Sequence, residues 1–259
     1  CTHLYLSDMD FSNTVMRALP AFPNLTGIAL GGTGITDLSA LADCPMLETA
    51  DIGHHATDLT PLARLTALKS LCNSMGRGRY LPWQIVSPVS DIRPLAGLKS
   101  LETLQLWGTR ITDLAPLSGL ENLHELHLSA SSVANLAPLA GLPRLRRLWL
   151  DRTNVTDLSA LADLPGLHTL DISHTAVADI EPLAFAETLE VLYMEETAFR
   201  DLSPLAHLPR LRVLDISSID APLEPLLSVQ TLEKLRIRGV SGASLELLSH
   251  LPKARISRR

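Results

Sequence analysis

The chain has 259 residues, 46% of them apolar and 19% charged, which is enough apolar surface for a folded core and too much for intrinsic disorder. Its formal charge of -6 argues against a general nucleic-acid binder, because such proteins need a basic face to neutralise phosphates. Cys1, Cys44 and Cys72 are odd in number and lack the close spacing of a zinc site or a disulfide framework, no run approaches the roughly 20 apolar residues that cross a bilayer, and the start lacks the basic-then-apolar order of a signal peptide.

A cytoplasmic location in a reducing compartment is therefore expected, with a cell-surface or secreted protein as the alternative. In that alternative Cys1 is the lipidated first residue of a bacterial lipoprotein; otherwise it fills a buried leucine slot.

From the first residue the chain is periodic. Cys1, Leu4 and Leu6 begin a spacing that restarts at Leu25, Leu47, Leu68, Leu101, Leu123, Leu145, Leu167, Leu189, Leu211 and Leu232, and most steps are 22 residues. Leu145 to Gly166, "LRRLWLDRTNVTDLSALADLPG", shows the unit, with apolar residues at its positions 1, 4, 6, 11, 14 and 17. Self-similarity at a fixed period of this length is the signature of a solenoid. A lone unit fixes its backbone at about 1 to 2 kcal/mol per residue and recovers only about 1.5 to 3 kcal/mol from each buried apolar side chain. Stability must therefore come from stacking.

Within each unit, alternation around Leu145, Leu148 and Leu150 predicts a short strand. Thr-Asp-Leu follows on the opposite edge. Asp113 suits the N-cap of a single helical or 3₁₀ turn with Pro116 near its start, and Asp37, Asp58, Asp91, Asp157, Asp179 and Asp201 fit the same slot, with Asn135 standing in.

One step, Leu68 to Leu101, spans 33 residues, and the excess is assigned to "NSMGRGRYLPWQIVSPVS", positions 73–90. Gly76, Gly78, Pro82 and Pro88 break regular structure there. Arg77, Arg79, Tyr80 and Trp83 are of the types that dominate binding hot spots, so this inserted loop is a candidate binding element; the alternative is that Trp83 and Ile85 pack it against a flank. At the far end, Ser244 to Leu251 suggests an amphipathic helix, and "KARISRR" another strand. Residues 1–259 thus read as one solenoid whose ends look truncated or uncapped, as in a segment of a longer protein.

The pattern L-x-x-L-x-L-x-x-T-x-I-T-D-L-x-P-L, written at Leu101, Leu104, Leu106, Thr109, Ile111, Thr112, Asp113, Leu114, Pro116 and Leu117, resembles the 22-residue class of leucine-rich repeats found in bacterial internalins and in a eukaryotic phosphatase regulator. The resemblance implies an α/β solenoid: an arc of about ten to eleven repeats with a parallel β-sheet on its concave side and short 3₁₀ or helical turns on its convex side. It also leans towards a bacterial source. The family usually has Asn at position 9, bonding neighbouring turns; here that slot holds Thr33, Thr109, Thr153, Thr175, Thr197 and Ser131, whose hydroxyls reach less far, and His55.

Positions 3, 5 and 7 of each strand are predicted to project outward. Position 5 runs Ala29, Asp51, Cys72, Gln105, His127, Trp149, Asp171, Tyr193, Asp215 and Arg236. Position 7 adds Trp107, Asp151 and Glu195, and position 3 adds Arg147. Only 4% of the chain is aromatic, so Trp107, Trp149 and Tyr193 on outward positions among charges suggest a recognition surface. The alternative is that cross-strand neighbours simply cover one another. The expected partner is a protein or peptide, steered by basic groups towards the acidic middle units.

Chemistry is nearly absent from the sequence. His54 and His55 beside Asp51 are expected to point apart and lack a third ligand at metal spacing; "GGTG" at positions 31–34 lacks the lysine and helix of a phosphate loop. No catalytic residue, metal or cofactor is assigned. The sequence therefore predicts a non-enzymatic recognition module, or else the sensor or substrate-docking segment of a larger enzyme or signalling protein.

Overall fold

The computed structural model describes residues 2–9, 11–75, 86–239 and 255–257. Cys1, the loop residues Arg77, Arg79, Tyr80 and Trp83, and the helix expected at 244–251 lie outside the described residues. The chain divides into two compact units, residues 1–133 and 134–259.

In the first unit the strands are β1 (His3–Tyr5), β2 (Gly27–Ala29), β3 (Thr49–Asp51), β4 (Ser70–Cys72), β5 (Thr103–Gln105) and β6 (Glu125–His127). Each pairs in parallel with the next at equivalent repeat positions, for example Leu71 with Leu104 and Leu104 with Leu126. Short 3₁₀ turns at Asn13–Ala21, Ser39–Asp43, Thr60–Arg64, Arg93–Leu95 and Ala115–Leu117 alternate with the strands. Strand leucines such as Leu104 and Leu106 and turn leucines such as Leu114 and Leu117 are all buried in the core between them.

The second unit repeats the scheme. Its strands are β7 (Arg147–Trp149), β8 (Thr169–Asp171), β9 (Val191–Tyr193), β10 (Val213–Asp215), β11 (Lys234–Arg236) and β12 (Arg255–Ser257). All adjacent pairs are parallel. The strand expected in the terminal basic stretch is β12.

Two local rules explain why the repeat closes. First, residue 8 of the unit adopts positive φ, as at Gly108 (64°), Arg152 (56°), His174 (56°), Glu196 (51°) and Ser218 (59°). That conformation lets its amide donate to the position-7 carbonyl of the next repeat, as from Gly108 to Ser129 and from His174 to Glu195, carrying the ladder past the strand end. Second, the position-9 hydroxyl donates to the carbonyl three residues earlier in its own turn: Thr33 to Leu30, Thr109 to Leu106, Thr153 to Leu150, Thr175 to Ile172 and Thr197 to Met194, at 2.6–2.9 Å. The short side chain closes its own turn where a longer amide would reach a neighbour. His55, in the corresponding slot, is exposed.

The aspartate slot acts as expected with one refinement. The amide two residues ahead donates to the side-chain oxygen of Asp37, Asp58, Asp91, Asp113, Asn135, Asp157, Asp179 and Asp201 at 2.8–2.9 Å. The residue directly preceding each 3₁₀ turn, however, is the buried leucine or isoleucine between, such as Leu114. The polar residue caps from one place further out, which keeps it in solvent while its neighbour enters the core.

The extra residues of the long step are fewer than 73–90. Asn73 occupies the position-6 slot, buried, its amide donating to the Gln105 carbonyl and its Nδ2 to the Trp107 carbonyl at 3.0 Å. Counting 22 back from Thr109 and Ile111 gives Ser87 and Val89, both buried; the Ser87 amide donates to the Gly108 carbonyl. The register has thus resumed by Ser87.

Candidate strand-face site

Backbone pairing lines up the outward positions of the second unit. Trp149 is the register partner of Asp171, Asp171 of Tyr193, Tyr193 of Asp215, and Asp215 of Arg236. Neighbours in this row stand about 5 Å apart along the hydrogen-bonding direction. Because Leu148, Leu170, Leu192, Leu214 and Leu235 are buried on the inner face, alternation forces position 5 to the outer one. Trp149, Asp171 and Tyr193 are half-buried and Arg236 is exposed. Arg147 is exposed at position 3, and Asp151 and Glu195 are half-buried at position 7.

Asp215 departs from the expectation of an outward, available carboxylate. It is 7% exposed. Its Oδ1 accepts the Ser217 amide at 3.1 Å and hydroxyl at 2.8 Å, and its Oδ2 lies 3.9 Å from Arg236 Nη1. Those bonds fold the short side chain back onto the turn after β10 and leave Arg236 as the group presented to solvent.

Asp171 is bonded in the same way, with Oδ1 accepting the Ser173 amide at 2.9 Å. No lysine or arginine pairs with it among the described residues. Burial pushes its carboxyl up to about 6; the Ser173 bonds oppose that rise, Asp151 adds to it, and His174 counters it weakly. His174 Nδ1 in turn lies 3.0 Å from Glu196 Oε2.

Trp107 and His127 stand on the strand face of the first unit, both half-buried. His127 is the register partner of Gln105, whose Nε2 donates to Glu125 Oε1 at 2.9 Å. The rings of His54 and His55 do not point apart: their centroids are 4.0 Å apart at an interplanar angle of 39°. Burial and then the neighbouring His55 lower the His54 pKa. No group of three or more His, Cys, Asp or Glu able to hold a metal occurs among the described residues. No helix among them is long and apolar enough to cross a membrane.

A reading restricted to positions 3, 5 and 7 misses the row at position 2. In the second unit Arg212 forks Glu233, Nε to Oε1 at 2.8 Å and Nη2 to Oε2 at 3.0 Å, and its Nη1 lies 3.6 Å from Glu190. With Arg210, Gln230 and Thr231 these residues line a shallow cleft. Lys69 and Glu48 pair likewise in the first unit at 2.8 Å. The signal was the alternation of charge sign at one repeat position, Glu48 then Lys69, and Glu190, Arg212, then Glu233.

Residues 99–141 and 143–184 match the family model described as leucine rich repeats in two copies. The chain carries leucine-rich repeats, and its fold is internalin-like. It is similar to an internalin of Listeria monocytogenes, with a TM-score of 0.74, 26% identity and coverage of 92% of this chain and 77% of that one. A leucine-rich repeat protein of Leptospira interrogans follows at TM-score 0.70 and 18% identity, covering 93% of this chain and 68% of that one. A plant peptide hormone receptor, solved in complex with RGF2, shares the fold at TM-score 0.67 and 16% identity, over 99% of this chain and 41% of that one. No curated protein sequence matches the chain. Leucine-rich repeats are in general protein-interaction modules.

Proposed function

We propose that the chain is a non-catalytic recognition module that holds a protein or peptide against the strand face of its second unit, around Trp149, Asp171 and Tyr193. The observation that carries this reading is the register Trp149–Asp171–Tyr193, which sets two of the chain's few aromatic side chains on either side of a carboxylate on an outer face. Core building gives no reason to spend scarce aromatics there, and Trp and Tyr are enriched in binding hot spots. The plant receptor of similar fold, solved with its peptide hormone, lends the precedent of a peptide on such a scaffold.

The test is selection of a displayed random-peptide library on the full chain, followed by rebinding to the Trp149→Ala/Tyr193→Ala double variant. Selected peptides should lose binding to the variant while its circular dichroism and unfolding midpoint stay close to the parent's. Peptides that bind both proteins equally would move the site elsewhere.

A further inference from the structure

We propose that Trp149, Asp171 and Tyr193 form a subsite for the guanidinium group of an arginine side chain carried by the protein or peptide partner, a deepening that rests on the reading above. Beside Asp171 stand Arg147 on β7 with Asp151 and Arg152 in the turn after it, Tyr193 on β9 with Glu195 and Glu196 in the turn after it, and His174 in the turn after β8. Carboxylates outnumber the arginines, and His174 is engaged with Glu196. The contrast with Asp215 is informative. Both aspartates occupy position 5 and both accept an amide two residues ahead, yet Asp215 has Arg236 within 3.9 Å, and among the described residues no lysine or arginine pairs with Asp171. A half-buried carboxylate without a counter-ion is costly, and the missing partner is a cation delivered from outside.

The flanking rings decide which cation. Trp149 and Tyr193 are one strand away from Asp171 on either side, so a group reaching the carboxylate meets an aromatic ring on each flank. A guanidinium is planar, weakly hydrated, stacks on aromatic faces and forks a carboxylate, whereas an ammonium is compact and strongly hydrated. Partly desolvated ground between two rings favours the former.

The test uses the full chain with its tryptophan indoles labelled with ¹⁵N, the Trp149 signal being assigned from a Trp149→Phe variant. The peptide acetyl-Gly-Arg-Gly-Arg-Gly-amide and its citrulline counterpart, a neutral isostere, are titrated separately at neutral pH. A saturable shift of the Trp149 indole by the arginine peptide is expected, weakened roughly tenfold or more with citrulline and in Asp171→Asn, the scale of one lost ion pair. Equal shifts from both peptides, or an unchanged response in Asp171→Asn, would overturn the subsite. If the arginine peptide leaves Trp149 unmoved while library-selected peptides still require Trp149 and Tyr193, the guanidinium subsite falls and the recognition reading stands. Independence of both from these residues removes both.

Discussion

Asp171 illustrates how a single residue can be set against stability. Its carboxyl titrates at about 6 in the folded chain against 3.8 ordinarily, because burial disfavours the charge. A group with a raised carboxyl pKa holds its proton more tightly when folded, so the folded state is favoured below about pH 4 and loses that advantage as pH rises through 6. Asp171→Asn keeps an oxygen for the Ser173 amide and removes the charge. It should therefore stabilise the protein by about 1 to 2 kcal/mol at pH 7.5, discounted for partial exposure. Urea midpoints should show little difference at pH 4; an Asn variant no more stable at pH 7.5 would mean the carboxylate is better solvated than its surroundings indicate. Thr153 is the opposite kind of residue. Its hydroxyl donates to the Leu150 carbonyl, and Thr153→Val should cost about 1 kcal/mol in the same measurement.

At the scale of the element, the turn chemistry repeats. Asn135→Ala removes the acceptor for the Ala137 amide and should destabilise by about 1 kcal/mol in urea unfolding, whereas Asn135→Asp should retain it. The bonded carboxyls of Asp37, Asp58, Asp157 and Asp201 lie below their ordinary value through hydrogen bonds from the amide and side chain two residues ahead, and Arg93 holds Asp91 at about 2. Depressed carboxyls contribute stability above about pH 4 that is lost as pH falls towards 2. Ser218 sits at φ 59°, where glycine carries no steric cost, so Ser218→Gly should stabilise by about 1 kcal/mol. Much of this was legible in sequence, because every repeat states the same rule: the strands follow from the leucine spacing, the turns from Asp and Pro. The insertion boundary was not legible. Asn73 imitates a leucine slot with an amide and Ser87 a threonine slot with serine, so only the backbone bonds to Gln105 and Gly108 reveal where the register resumes. The burial of Asp215 was likewise hidden, since it depends on Ser217 and Arg236 in two different repeats.

For the whole molecule, net charge says less than placement. A formal charge of -6 is spread over the chain, while the strand face of the second unit sets Asp151, Asp171 and Glu195 against Arg147 and Arg236. A partner bearing arginine should bind more weakly as salt rises, because part of its attraction is screened. It should also bind more weakly as Asp171 is protonated below pH 6. The most direct measurement is calorimetric titration of one library-selected peptide into the parent chain and into the Trp149→Ala/Tyr193→Ala variant under identical buffer. Tenfold or greater loss of affinity, in a variant that unfolds at nearly the parent's urea concentration, is the expected result. Equal affinity for the two proteins would contradict the assignment of the binding surface to this row.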